Sequence, residues 1–362
     1  MPDEQLRQVI EAAGPFASVY LDASHDTFDA PHQNELRWQA ARTDLVGQGA
    51  DDATLRAIDN VLGADAPAVG KAGRAVIAAG GQVVLDRVLP VPPATDLARF
   101  SDLPYLVPLF ALDPPSIPYV VVVAGKAGGT MRAVDGTGRQ VADTEVQAEE
   151  SDLHRMPGAG RAAGSLTGRI EEAVRQNGKE LAQAAAALVE RTNAELLVLA
   201  GDVQARSAVR AGLPAHVARV AADLDDDAEA IAARPDVLTE SLTKLLAETE
   251  ASRESDVLDR LHTGEAHGTA RQGLAAVLAA LRIGQVDTVL LTDQVLGDAT
   301  VWRGGDHTQV AADRADLPDA ATQVRADEAV PVAAFSTSAG VLVLAPDQAS
   351  FTDGIAAVLR YA

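Results

Sequence analysis

Residues 269–293 read Thr-Ala-Arg-Gln-Gly-Leu-Ala-Ala-Val-Leu-Ala-Ala-Leu-Arg-Ile-Gly-Gln-Val-Asp-Thr-Val-Leu-Leu-Thr-Asp. Leu274, Val277, Leu278 and Leu281 recur at helical spacing, so the stretch opens as an amphipathic helix. Gly284 stands where a left-handed cap would stop that helix. Val289, Leu290 and Leu291 then form a short apolar run, expected as a strand buried on both faces and closed by Asp293. Helix, glycine stop and apolar strand define an α/β unit.

The same alternation extends outward. In residues 1–114 the pattern predicts helices over 5–13, 35–46 and 53–62 and strands over 16–21 and 105–112. A hairpin of 75–79 and 83–89 turns through Gly80-Gly81. Asp113-Pro114-Pro115 reads as a linker. In residues 115–255, Val120–Val123 is expected as a central strand, with strands at 130–134, 141–146 and 196–199. Long helices are expected over 166–192 and 237–261. In residues 256–362, strands are expected at 299–303, 330–335 and 341–344 and a final helix over 354–360. The expected fold class is α/β, with three consecutive α/β domains at 1–114, 115–255 and 256–362.

Composition excludes several classes. The 362 residues carry a formal charge of −22, 47% hydrophobic and 23% charged residues and no cysteine, so disulfides and thiolate metal sites are ruled out. No apolar run approaches the ~18–20 residues of a membrane span, and no basic segment followed by an apolar one marks the N-terminus, so a cytoplasmic location is expected. The acidity is shared: basic against acidic residues number 8 to 16, 15 to 22 and 7 to 14 in the three domains. Of the 30 basic residues 26 are arginine, in an alanine-rich chain, which points to a high-GC or salt-adapted source. Contact with RNA would have to use local cationic patches or a protein intermediary.

Residues 269–293 resemble the opening of the C-terminal domain of archaeal and eukaryotic class-one release factors and of Pelota. Gly14-Pro-Phe-Ala-Ser-Val-Tyr-Leu-Asp-Ala-Ser-His-Asp-Thr27 and Ala356-Ala-Val-Leu-Arg-Tyr-Ala362 resemble the bacterial, actinobacterial branch of that superfamily, which includes Balon-type ribosome hibernation factors. The resemblance covers essentially the whole chain and implies the domain order of that superfamily. It implies a factor of the ribosomal A site, in contact with ribosomal RNA and able to meet elongation factor Tu, with no cofactor and no membrane.

The release chemistry of that family rests on Gly-Gly-Gln in a loop before the long helix. Here the loop reads His154-Arg155-Met156-Pro157-Gly158-Ala159-Gly160-Arg161-Ala162-Ala163-Gly164. Its glycines keep backbone freedom, but no glutamine lies between Gln147 and Gln176. Asn-Ile-Lys-Ser, the stop-codon motif of the first domain, is also absent. The resemblance therefore implies occupancy of the A site in hibernation or stress, without peptide release and without catalytic residues. The alternatives are a peptidyl-tRNA hydrolase or ribosome-rescue factor using a noncanonical loop, and a regulatory protein that kept the fold and left the ribosome.

Residues 154–169 hold three arginines, one histidine and no acid, so Arg155, Gly158, Gly160, Arg161, Gly164 and Arg169 form the candidate ribosome-contacting loop. The window 203–222 has the same count of arginine, histidine and acid, so this signal alone is not specific. Ser24, His25 and Asp26 share the chemistry of a hydrolase triad, but consecutive residues do not converge as a triad must. They are read as a turn, with contact to the decoding region as the functional alternative. No metal site is expected at Asp225–Asp227, His262 or His267. Between Tyr119 and Trp302 there is no aromatic residue, so the middle domain has no platform for base stacking.

Overall fold

The computed structural model describes residues 4–63, 70–114, 116–147, 163–226, 231, 234–292, 296–297, 299–317, 320–345 and 347–361. The first segment runs α1 (Glu4–Glu11), β1 (Phe16–Asp22), α2 (Ala30–Gly47), α3 (Asp52–Leu62), β2 (Gly73–Ala79), β3 (Gln82–Leu89), β4 (Leu97–Ser101) and α4 (Val107–Leu112). Its antiparallel sheet has the order β3-β2-β1-β4. β1 feeds two cores, because successive side chains of a strand point to opposite faces. Phe16 and Tyr20 enter one; Ala17, Val19 and Leu21 meet Trp38, Leu45, Leu55 and Ile58 of α2 and α3 in the other. The Gly80-Gly81 turn has φ of +56° and +77°, which admits the tight hairpin. The strand expected over 105–112 is instead helix α4. Pro108 falls in its first turn, where a missing N–H leaves no bond unmade.

The middle segment runs β5 (Tyr119–Gly125), β6 (Gly128–Val134), β7 (Gln140–Gln147), α5 (Ala163–Thr192), β8 (Leu196–Gly201), α6 (Val203–Gly212), α7 (Ala215–Ala218), β9 (Ala221–Asp223) and α8 (Pro235–His267). Its sheet has the order β7-β6-β5-β8-β9, with β5 in the centre and β8 and β9 parallel to it. Leu181, Ala182, Ala185 and Leu188 of α5 cover one face, against Val120, Val122, Leu197 and Leu199. Val121 and Val198 on the other face meet Leu238, Leu242, Leu245 and Leu246 of α8. α5 and α6 cross on small residues: a methyl at Gly178 would fall on the Ala208 side chain and 2.8 Å from its carbonyl carbon, and one at Gly212 would lie 3.0 Å from the Ala182 Cβ.

The last segment runs β10 (Ala270–Gln272), α9 (Leu274–Arg282), β11 (Val286–Thr292), β12 (Thr300–Arg303), β13 (Val310–Ala311), β14 (Thr322–Arg325), α10 (Ala326–Ser336), β15 (Gly340–Leu344) and β16 (Ile355–Leu359). The opening stretch folds as expected through Thr292; Asp293 lies outside the described residues. Val277, Leu278 and Leu281 of α9 are buried, and Gly284 follows the helix at φ +71°. β11 lies between β16 and the parallel β15, with Val289 and Leu291 in one core and Leu290 in another. Two expectations are corrected. Residues 330–335 lie in helix α10, not a strand, and residues 355–359 form strand β16, not a helix. A second sheet, β13-β12-β14, buries Val301, while the Arg314 guanidinium sits 5.7 Å over the Trp302 ring.

The chain divides into two compact units, one of residues 115–253 and one built jointly by 2–114 and 254–362. The joint unit has a shared apolar core in which Leu6, Val9, Tyr20, Leu106 and Phe110 cluster with Val277, Leu281, Val330 and Ile355. A buried charged network crosses the same junction. Arg99 donates to Asp327 at 3.0 Å and to Glu328 at 3.2 Å, and lies 3.6 Å over the Tyr105 ring. Arg325 holds the two oxygens of Asp327 at 3.0 Å each.

His307 bonds the Ile10 backbone across this junction, and its buried Nδ1 has no partner. Burial first, then the Arg303 charge, push its pKa below the usual 6.5. Folding therefore favours the neutral ring, so its stabilisation is complete above pH 6.5 and is lost as pH falls through the folded pKa. Thermal melts from pH 7.5 to 5 should show wild type losing more stability than His307→Gln, whose amide keeps a donor without titrating. Parallel curves would exclude this role.

Candidate functional site

The best-defined candidate is the loop that leaves β1 and enters α2. It is fixed at its base by charge and backbone pairing. The Asp22 carboxylate lies 2.8 Å from Arg37 and accepts the Ser24 N–H at 2.9 Å, while the Asp22 N–H donates to Asp96 at 2.8 Å. Burial alone would raise the Asp22 pKa. The Ser24 hydrogen bonds and the Arg37 and Lys71 charges outweigh it and hold the carboxyl below its ordinary value. The Ala23 N–H donates to the Ala72 carbonyl at 2.9 Å, and His25 pairs with Gly70 as an antiparallel bridge.

The three residues singled out here do not form a relay. The Ser24 hydroxyl is held by the Ala72 backbone, accepting its N–H at 3.2 Å and donating to its carbonyl at 3.4 Å. His25 Nδ1 lies 3.0 Å from the Ala23 carbonyl and 3.5 Å from the Asn34 amide nitrogen, so the ring is engaged within the loop. The Asn34 amide donates to the Ser24 carbonyl at 3.3 Å. Asp26 is exposed, and no described contact joins it to Ser24 or His25. The loop is a built turn whose described polar contacts go to its own backbone and to the segments packed beside it, residues 70–72 and α2.

Sequence reasoning missed the residue at its tip. Phe28 is 104% exposed, in a turn closed by the Ala30 N–H donating to the Thr27 carbonyl at 3.3 Å. The signal was present: one aromatic ring among Thr27, Asp29 and Pro31, outside any helical or strand periodicity.

In the middle unit, β7 ends at Gln147 and α5 begins at Ala163. Arg155, Gly158, Gly160 and Arg161 lie outside the described residues; Gly164 and Arg169 belong to the backbone of α5, which starts three residues before the expected 166. The rival cationic window is described, and two of its three arginines are paired with carboxylates that follow it. Arg210 pairs with Asp223 at 2.7 Å and donates to the Ala221 carbonyl, and Arg206 is buried against the Leu224 carbonyl with Asp225 at 3.7 Å. These two arginines line a cleft of about 210 Å³ together with Asp223 and Asp225, so its charges balance. Among the described residues no group of three His, Asp or Glu is arranged to hold a metal ion, and no helix is long and apolar enough to cross a membrane.

A family model described as bacterial archaeo-eukaryotic release factor family 2 matches residues 118–267. Two uncharacterized proteins from two strains of Mycobacterium tuberculosis are each 33% identical over 369 residues, covering 100% of this chain and 97% of the relative. The chain belongs to the bacterial branch of the archaeo-eukaryotic release factors. Among solved structures, Archaeoglobus fulgidus Pelota is similar over 81% of this chain and 84% of its own, at 17% identity and a TM-score of 0.33. Dom34 of S. cerevisiae, described as a translation termination-like factor, is similar over 100% and 94%, at 12% identity and a TM-score of 0.39.

Proposed function

We propose that this chain is a cytoplasmic ribosome-binding factor that occupies the A site in hibernation or stress without releasing peptide. Membership of the release-factor family supports the ribosome as partner. The observation that carries the rest is in the sequence. Residues 154–169, which lead into and open α5, keep Gly158, Gly160 and Gly164 and three arginines but have lost the glutamine that family chemistry requires. Such a segment can follow a ribosomal RNA backbone by shape and charge. It lacks the glutamine that places a water against the ester of peptidyl-tRNA. In this reading the three α/β domains divide the work: the loop around Ser24, His25 and Asp26 faces the decoding region, the middle loop the peptidyl-transferase centre, and residues 256–362 a delivering GTPase such as elongation factor Tu.

Co-sedimentation with ribosomes from starved and growing cells tests this directly. The chain should pellet with ribosomes from starved cells, and Arg155→Ala/Arg161→Ala/Arg169→Ala should weaken pelleting and flatten its dependence on salt, because fewer phosphates are neutralised. Absence from every ribosomal fraction would end the proposal. Release of labelled peptide from stalled ribosomes would replace occupancy by hydrolysis as its output.

A further inference from the structure

Phe28 is a ring presented to solvent at the tip of a turn. Elsewhere in the first segment the aromatic rings are committed: Phe16, Tyr20, Trp38 and Phe110 are buried, Phe100 packs half-buried against the core, and Tyr105 packs under Arg99 and edge-on to Tyr20. Phe28 alone among them stands fully clear, at 104% exposure. The turn beneath it is braced from two sides. Residues 70–72, ahead of β2, pair with it through Ala72 to Ala23 and Gly70 to His25, and α2 ties it through Asn34 to the Ser24 carbonyl and Gln33 to Asp29 at 2.8 Å. The backbone that carries the ring is thus ordered before any partner arrives, which lowers the cost of binding through it.

Its neighbours decide the partner's chemistry. Asp26 and Asp29 flank the ring and are exposed, so they repel a phosphate backbone. A paired base is stacked inside its helix and offers no free face. What remains is a neutral, flat, unpaired base approaching ring to ring, with its phosphates turned away. We infer that Phe28 is a stacking platform for one unpaired RNA base. This rests on the ribosome reading above and names the contact that the first segment makes.

The test is binding of full-length variants to purified ribosomes, with Phe28→Ala, Phe28→Leu and Phe28→Trp compared with wild type. All four should melt alike, since an exposed ring supports no core. Loss of one stacked base is expected to weaken binding roughly 5- to 150-fold in Phe28→Ala. Phe28→Leu should fail comparably, because it keeps apolar area without a π-face, and Phe28→Trp should bind as well as wild type or better. A photoreactive benzoylphenylalanine at position 28 should crosslink to RNA. Equal binding by Phe28→Ala, full rescue by Phe28→Leu, or crosslinks to protein alone would each overturn the inference while leaving ribosome binding intact. Failure of wild type to bind ribosomes would remove both readings together.

Discussion

Arg99→Met is expected to lower the melting midpoint of the joint unit by roughly 6–20 °C, from a loss of about 3–5 kcal/mol for breaking a buried ion pair. Arg99 is the cation that faces Glu328 across the junction. The two carboxylates it serves are 5% and 3% exposed, against 21% for Arg99 itself. Asp327 keeps Arg325 when Arg99 goes, but Glu328 is left with the Ser101 hydroxyl. Burial already pushes the Glu328 pKa above its ordinary value despite Arg99, so its charge has little solvent to fall back on. Methionine keeps most of the packing over Tyr105, which isolates the charge. Adding Glu328→Gln to Arg99→Met should recover much of the loss, because the group left behind is then neutral. A single variant as stable as wild type, or a double variant no better than the single, would show that this network does not hold the two segments together.

Gly178→Ala should destabilise the 115–253 unit, although the same change in an open helix would stabilise it by about 1 kcal/mol. The added methyl lands on Ala208 and within 2.8 Å of its carbonyl carbon, and backbone cannot step aside as a flexible side chain would. Separation of α5 from α6 uncovers Ala182, Leu181 and Val209, all fully or nearly fully buried. The net loss should be about 1–3 kcal/mol, read as faster amide exchange in both helices. Ala208→Gly in the same chain should restore part of it by removing the struck methyl. Unchanged exchange in Gly178→Ala would mean that the helices do not meet this closely in solution.

Legibility followed the degree of burial. α5 was readable because it shows one apolar face and one polar one, and α9 because Leu274, Val277, Leu278 and Leu281 recur at helical spacing with small alanines between them. α10 was not. Every residue from Ala326 to Ala334 is buried, charged Asp327 and Glu328 included, so no polar face marks a period and Val330–Phe335 looks like a strand. β16 failed the opposite way. Its alanines suit a helix, yet Ile355, Ala357 and Leu359 enter one core while Ala356 and Val358 enter another. Tertiary packing overrides that local preference. At the site, the turn after β1 was legible from Ser24, His25 and Asp26. The pairing that holds it was not, because Gly70, Ala72 and Asp96 come from elsewhere in the chain. Phe28 escaped because pattern reading assigns apolar residues to cores.

The joint unit interrupts itself with another, and this sets an order of maturation. Residues 115–253 are contiguous and can fold once their own last residue emerges during synthesis. Residues 2–114 cannot complete their shared core until β16 emerges, because Ile355 and Leu359 belong to it and β16 sits between β10 and β11. The earliest-made segment is therefore the last to mature, and must wait with Leu6, Val9 and Phe110 uncovered for some 240 residues of elongation. A truncation before Ile355 would strand the N-terminal segment while sparing the 115–253 unit.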